Sequence, residues 1–141
     1  MWYVPDNFKN KEKAACIKAL IFILNIKGKN NQAKRTFIQL QFKAMGIPEN
    51  KYDLDAAPCS WDTMIKELRS VESLRVQRFI IREMIRLAIA DQDISDDEIR
   101  NIYQVAERIG ISGEKVGDFF IWAAKGIEWQ VEGIQLIEED L

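Results

Sequence analysis

An almost continuous run of apolar side chains from Ala14 to Ile26 is the feature that most restricts the fold. Only Lys18 and Asn25 interrupt it, and it is shorter than the roughly 20 residues that a membrane-spanning helix needs. In water such a run is stable only when other parts of the chain cover it on several sides. It therefore predicts a helix buried inside a domain.

Apolar residues recur at three- and four-residue steps along nearly the whole chain, and no segment of five or more residues alternates as a strand does. This spacing predicts five helices, over residues 11–26, 32–45, 70 or 71 to 90, 96–109, and 112 toward 141. Residues 49–68 are expected to be irregular, with a helical turn or two. The last helix can bend near Gly126 or Gly133.

Polar or glycine-containing segments separate the predicted helices. Gly28 can adopt the positive φ of a tight turn, and Asn30 or Asn31 can cap the helix that follows. Gly46 and Gly110 each stand where a helix is expected to end.

The two halves of the chain correspond without a gap when one is shifted by 64 positions. Ile38 then falls on Ile102, and Met45-Gly46-Ile47 falls on Ile109-Gly110-Ile111. The correspondence defines pseudo-repeats over residues 11–52 and 75–116. It predicts one domain over residues 1–141: an all-α, compact helical bundle of two pseudo-repeated helical hairpins plus a C-terminal helix.

The second repeat carries a more specific pattern. Ala90-Asp91-Gln92-Asp93-Ile94 follows an apolar helix end, and Ser95-Asp96-Asp97-Glu98 starts the next helix. Over residues 80–120 this resembles the tellurite-resistance TerB-like family, although Gln92 replaces the usual glycine. The resemblance implies a helical bundle built from hairpins. It also implies a stress-related, phage-related or cochaperone-associated module, in which acidic residues are proposed to bind a divalent cation.

The acidic loop allows two interpretations. Asp91, Asp93, Asp97 and Glu98 could hold a cation with oxygen ligands, namely weakly bound calcium or magnesium. Ser95 and Glu98 also have the spacing of a capping box, which explains much of the loop as helix initiation.

The corresponding positions of the first repeat have the opposite charge. The 64-residue shift places three lysines opposite three acids of the loop: Lys27 on Asp91, Lys29 on Asp93 and Lys34 on Glu98. We therefore expect that only the second repeat could hold a cation.

Composition argues against an enzyme. The chain has no histidine and two cysteines, Cys16 and Cys59, which excludes histidine-dependent nucleophiles and the common zinc sites. The N-terminal sequence lacks the order of a signal peptide, and two reduced thiols fit a cytoplasmic protein. A net charge of −2, without a recognised DNA- or RNA-binding motif, disfavours nucleic acid as a partner.

The small net charge hides an asymmetry, because residues 1–54 have a net charge of +6 and residues 55–141 a net charge of −8. A basic hairpin lying against an acidic one accounts for this most simply. Head-to-tail self-association is a second explanation, and a basic patch that meets an anionic partner is a third.

Two surfaces are candidates for binding a partner. Arg75, Arg78, Arg82 and Arg86 share one side of a helix, either as a docking ridge or as a solvated face that pairs with acids. The last helix is rich in Trp, Phe and Ile, and we expect core packing to absorb most of these side chains. Phe120 or Trp129 could remain for a partner.

Together these patterns predict a non-catalytic protein-interaction module of TerB-like type, without a cofactor, which could form a homo-oligomer. The alternative is a divalent-cation-binding protein that uses the acidic loop Asp91–Glu98.

Overall fold

The computed structural model describes residues 3–26 and 30–140. Within them the chain forms six helices and no strand, which confirms the all-α prediction of a compact helical bundle. The helices are α1 (Asn10–Asn25), α2 (Gln32–Met45), α3 (Trp61–Arg69), α4 (Leu74–Ala88), α5 (Asp96–Ile109) and α6 (Gly113–Glu138). In these ranges, none of the helices combines the length and apolarity needed to cross a bilayer. The turn predicted at Gly28 and the end predicted at Leu141 lie outside the described residues.

Helix α1 occupies the centre of the bundle. Every residue from Ala15 to Leu24 is buried except Lys18, and α2, α3 and α4 pack around it. The Lys18 ammonium reaches the surface and pairs with Glu67 of α3 at 3.0 Å. The hydrogen bond to this carboxylate and its negative charge raise the pKa of Lys18. The run of apolar residues is thus covered on several sides, as its composition requires.

The second pair of helices repeats the bounds of the first at an offset of 64 residues: α2 spans 32–45 and α5 spans 96–109, while α1 begins at residue 10 and α4 at residue 74. Gly46 and Gly110 both adopt left-handed backbone angles, with φ of 69° and 89°. In each case the next amide, of Ile47 or Ile111, donates to a carbonyl five residues earlier at 2.8 Å. This geometry is a Schellman ending.

Helix α3 is more regular than the sequence predicted. Ser60 caps it by accepting a hydrogen bond from the Thr63 amide at 3.1 Å, and Met64, Ile65 and Leu68 face the core. Helix α4 is shorter than predicted, because Ser73 caps it only at Leu74.

Helix α6 begins inside the bundle and ends outside it. Its first half packs against α4 and α5, where Phe120 stacks on Tyr103 with 5.8 Å between ring centroids. It continues through Gly126 and Gly133 as one helix. Every residue from 128 to 140 is exposed, and we call this segment the α6 tail.

The prediction that core packing absorbs most of the last helix is therefore wrong. Its 26 residues extend over about 39 Å, whereas the hairpin helices α1, α2, α4 and α5 have 14 to 16 residues. The bundle is too short to cover the whole of α6.

Replacing Gly110 by alanine should lower the free energy of unfolding by about 1–2 kcal/mol, because φ of 89° is strained for any residue with a Cβ. Gly117→Ala is the matched control. Gly117 lies inside α6, where an added Cβ would make only an ordinary contact with the Tyr103 hydroxyl at 3.6 Å. This control should be neutral or stabilising by about 0.5–1 kcal/mol. Urea unfolding of Gly110→Ala and Gly117→Ala measures the two changes in the free energy of unfolding. Equal changes in the two variants would contradict a special role of the positive φ at Gly110.

Candidate interaction surface and the acidic loop

The acidic loop starts helix α5 with a capping box. The Ser95 side chain accepts a hydrogen bond from the Glu98 amide at 3.1 Å. The Glu98 Oε1 atom accepts in return from the Ser95 amide at 3.3 Å. One carboxylate oxygen of Glu98 thereby satisfies the Ser95 N–H at the helix start.

The other oxygen of Glu98 is bound by Lys34 of α2. The Lys34 Nζ atom lies 2.8 Å from Glu98 Oε2, and both side chains are almost completely buried. Asp91 lies on the other side of the same ammonium group, with its Oδ2 atom at 3.9 Å. Asn31, which caps α2, donates from Nδ2 to this Asp91 oxygen at 2.8 Å. The start of α2 and the start of α5 are thus joined through one buried cation and two carboxylates.

The four predicted metal ligands therefore do not share one centre. Asp91 and Glu98 face Lys34, whereas Asp97 forms an ion pair with Arg100. Asp93 is exposed, and its backbone amide donates to Asp91 Oδ1 at 3.1 Å. Among the residues that the structure describes, no group of three or more His, Cys, Asp or Glu side chains is placed to hold a metal ion. This geometry favours helix capping and ion pairing, and cation binding stays a prediction.

Gln92, between the two aspartates, has a φ of 61°. This is the left-handed region, which glycine adopts most easily. The position coincides with the glycine of the motif that the loop resembles.

The four arginines of α4 do not form one free ridge. The Arg82 guanidinium lies between the rings of Tyr3, Phe79 and Trp122, each 5.3–5.4 Å away. This cation–π arrangement holds the N-terminal segment, α4 and α6 together. Only Arg75 and Arg78, nearer the start of α4, are exposed.

Arg86 and Arg82 also compensate a buried carboxylate. Glu83 is completely buried, and it accepts hydrogen bonds from Arg86 Nη1 at 2.9 Å and from Gln41 Nε2 at 2.9 Å. Arg82 Nη2 approaches the same carboxylate at 3.3 Å. Two of the four arginines predicted to meet a partner thus serve the interior of the protein.

The two cysteines lie in different environments. Burial, together with the nearby negative charge of Glu83, raises the pKa of the Cys16 thiol well above its usual value. A thiol that stays protonated is a poor nucleophile. Cys59 is exposed.

The two aromatic residues predicted for a partner differ in exposure. Phe120 is partly buried against the core, whereas Trp129 is 75% exposed. The α6 tail exposes four further apolar side chains by 46–72%: Val131, Ile134, Leu136 and Ile137. A continuous exposed apolar surface of this kind typically marks an interaction site.

A groove lies beside this surface, between α2 and α6. It has a volume of about 710 Å³, and its walls include Phe37 and Leu40 of α2 and Trp122, Gly126 and Trp129 of α6. We call it the α2–α6 groove. The groove could not be predicted from the sequence, because a residue of α2 such as Leu40 has the same spacing whether it faces the core or a groove.

The charge asymmetry is satisfied partly inside the molecule. Three cations of the basic segment pair with acids of the acidic one, through the contacts Lys18–Glu67, Lys34–Glu98 and Arg35–Asp55. In the described ranges, no ion pair joins an acid of the α6 tail to another part of the chain. The intramolecular explanation thus accounts for the hairpins but not for the tail.

Comparisons with protein-family models, with curated proteins and with solved structures gave no significant match to this chain.

Replacing Lys34 by methionine should lower the free energy of unfolding by about 3–5 kcal/mol, because Glu98 would remain buried without its cation. Adding Glu98→Gln should recover part of this loss, since the amide oxygen can still complete the capping box without a charge. Lys66→Met, at an exposed lysine of α3, is the control and should change stability by less than about 0.5 kcal/mol. Urea unfolding measures the stability of Lys34→Met, of Lys34→Met/Glu98→Gln and of Lys66→Met. If Lys34→Met lost as little stability as Lys66→Met, Lys34 would not be needed to compensate the buried Glu98.

Millimolar calcium, magnesium or manganese, added after chelator treatment, should leave the Tm of the protein unchanged. The ammonium group of Lys34 already compensates Asp91 and Glu98, so a second cation would gain little by binding there. Thermal melts in each salt provide the measurement. A cation-specific rise in Tm that the double substitution Asp91→Asn/Asp93→Asn abolishes would instead support the metal site.

Proposed function

We propose that the chain is a non-catalytic protein-interaction module of TerB-like type, which acts in the cytoplasm through the exposed apolar surface of α6. The observation that carries the proposal is the exposure of Trp129, Ile134, Leu136 and Ile137 on one uninterrupted helix. Leaving such side chains in water is unfavourable, at about 25 cal/mol for each Å² of apolar area. A partner that covers them gains this free energy.

The non-catalytic part of the proposal is supported by the chemistry of the polar residues. The chain has no histidine, and the buried thiol of Cys16 is kept protonated. The buried carboxylates Glu83 and Glu98 are each compensated by cations of the protein itself. A general acid or base needs instead a group that is open to a substrate.

Two features support the TerB-like type. The helix bounds of the hairpins repeat at 64 residues, and Gln92 takes the left-handed conformation at the position of the motif glycine. The stress-related or phage-related process that this family suggests is part of the same proposal.

Affinity capture with the purified, tagged chain tests the proposal. The wild-type protein should capture a partner in near-stoichiometric amount from a lysate of the source organism, and an untagged copy of the chain also counts as a partner. Ile134→Glu should abolish the capture, because it places a carboxylate in the apolar surface.

Ile121→Glu is the matched control for this capture. Ile121 is also exposed on α6, but it shares the side of Glu128 and Glu132, away from the apolar surface. If the wild type, Ile134→Glu and Ile121→Glu captured the same proteins in equal amounts, the proposed role of the apolar surface of α6 would be refuted.

A further inference from the structure

We infer that the occupant of this apolar surface is a second copy of the chain: two α6 helices pair antiparallel, and the tail of each lies in the α2–α6 groove of the other. The inference rests on the proposed function, because it uses the same surface and names its partner.

The apolar residues of α6 cover one broad side of the helix over several turns. Trp122, Trp129 and Leu136 follow one another at intervals of seven residues along one edge of this side, and Ile127 and Ile134 lie along its other edge, about 140° further round the helix. A straight apolar side of this length fits a second helix laid along it. The occupant is therefore expected to be a helix.

The α6 tail cannot fill the groove of its own copy. The groove is walled by Trp122, Gly126 and Trp129 of the same helix, and α6 continues without interruption to Glu138. A straight helix cannot turn back along itself. The groove and the tail of one molecule can therefore be joined only across two molecules.

The groove and the tail are complementary in charge. The tail contains five acids and no Lys or Arg, whereas the lining of the groove includes the exposed Lys125 and no carboxylate; its other cation, Arg86, already pairs with the buried Glu83. Acids of one copy would thus lie near Lys125 of the other, while the apolar side chains of both are covered. A two-fold arrangement makes this contact twice, since each copy supplies one groove and one tail.

The exposed area is sufficient for a stable dimer. Trp122 and the apolar residues of the tail are 46–75% exposed. Aromatic side chains such as Trp122 and Trp129 bury roughly 150–250 Å² each, and aliphatic side chains bury less. The apolar area open to solvent is therefore several hundred Å² for each copy, near the roughly 800 Å² that each partner contributes to a standard interface.

Two glycines fit a close approach of a second helix. A Cβ added to Gly126 or Gly133 would meet no atom within 4 Å, so nothing in the described chain requires these glycines. Each costs the helix about 1 kcal/mol relative to alanine. A second helix that lies against this side of α6 would use the space that they leave.

Sedimentation velocity over a dilution series of the full chain tests the inference. We expect a monomer–dimer equilibrium in the micromolar range or tighter. Ile134→Glu, in the tail, and Gly126→Leu, in the groove, should each weaken dimerisation by about tenfold or more. Gly126→Leu is the more informative variant. Leucine has a higher helix propensity than glycine and is more apolar, so this substitution would strengthen non-specific association. Weaker dimerisation of Gly126→Leu would therefore indicate a specific contact at the groove.

Ile121→Glu is again the control and should leave the dimerisation constant unchanged. A chain that stays monomeric at about 100 μM would overturn the inference, as would a dimer that survives both Ile134→Glu and Gly126→Leu.

The two proposals can fail separately. A monomeric chain that still captures another protein through Ile134 would refute the second copy as occupant and leave the interaction module in place. A monomeric chain whose captured proteins do not depend on Ile134 would refute both.

Discussion

The need to cover α1 on nearly all sides organises the rest of the structure. A helix whose residues from Ala15 to Leu24 are buried apart from Lys18 requires neighbours around most of its circumference, and α2, α3 and α4 supply them. One of these neighbours, α4, then has its own apolar side covered by α5 and the first half of α6. The second half of α6 extends beyond these neighbours, so its apolar side chains are exposed, and Phe37 and Leu40 of α2 line the open groove beside it.

Buried polar groups fix how the hairpins meet. Apolar packing alone would tolerate sliding of one hairpin along the other, since it is not directional. Lys34, Glu98, Asp91 and Asn31 form contacts that depend on position within a few tenths of an ångström, and they lie where the starts of α2 and α5 come together. Glu83 of α4 plays a similar part between α2 and α4, because it accepts a hydrogen bond from Gln41 of α2. These contacts set the register of the bundle.

Local signals made part of this structure predictable. The bounds of α2 and α5 followed from caps and terminal glycines that act within a few residues, and the capping box at Ser95 was visible in the spacing alone. Helix α3 was predicted only as a helical turn or two within residues 49–68, although Ser60 and the spacing of Met64, Ile65 and Leu68 carry the same kind of signal in a short segment. The role of Lys34 could not be predicted, because its partner lies 64 residues away. The exposure of the α6 tail depends on the length of the whole bundle, which no local pattern contains.

The contact between Lys34 and Glu98 joins positions that correspond under the 64-residue shift. A residue that touches its own counterpart lies close to the axis relating the two hairpins. If two first hairpins met in the same way, they would bring two ammonium groups together, and two second hairpins would bring two carboxylates together. Either encounter would bury like charges without compensation. The pair thus favours contact between unlike hairpins and disfavours pairing of two like hairpins from different molecules.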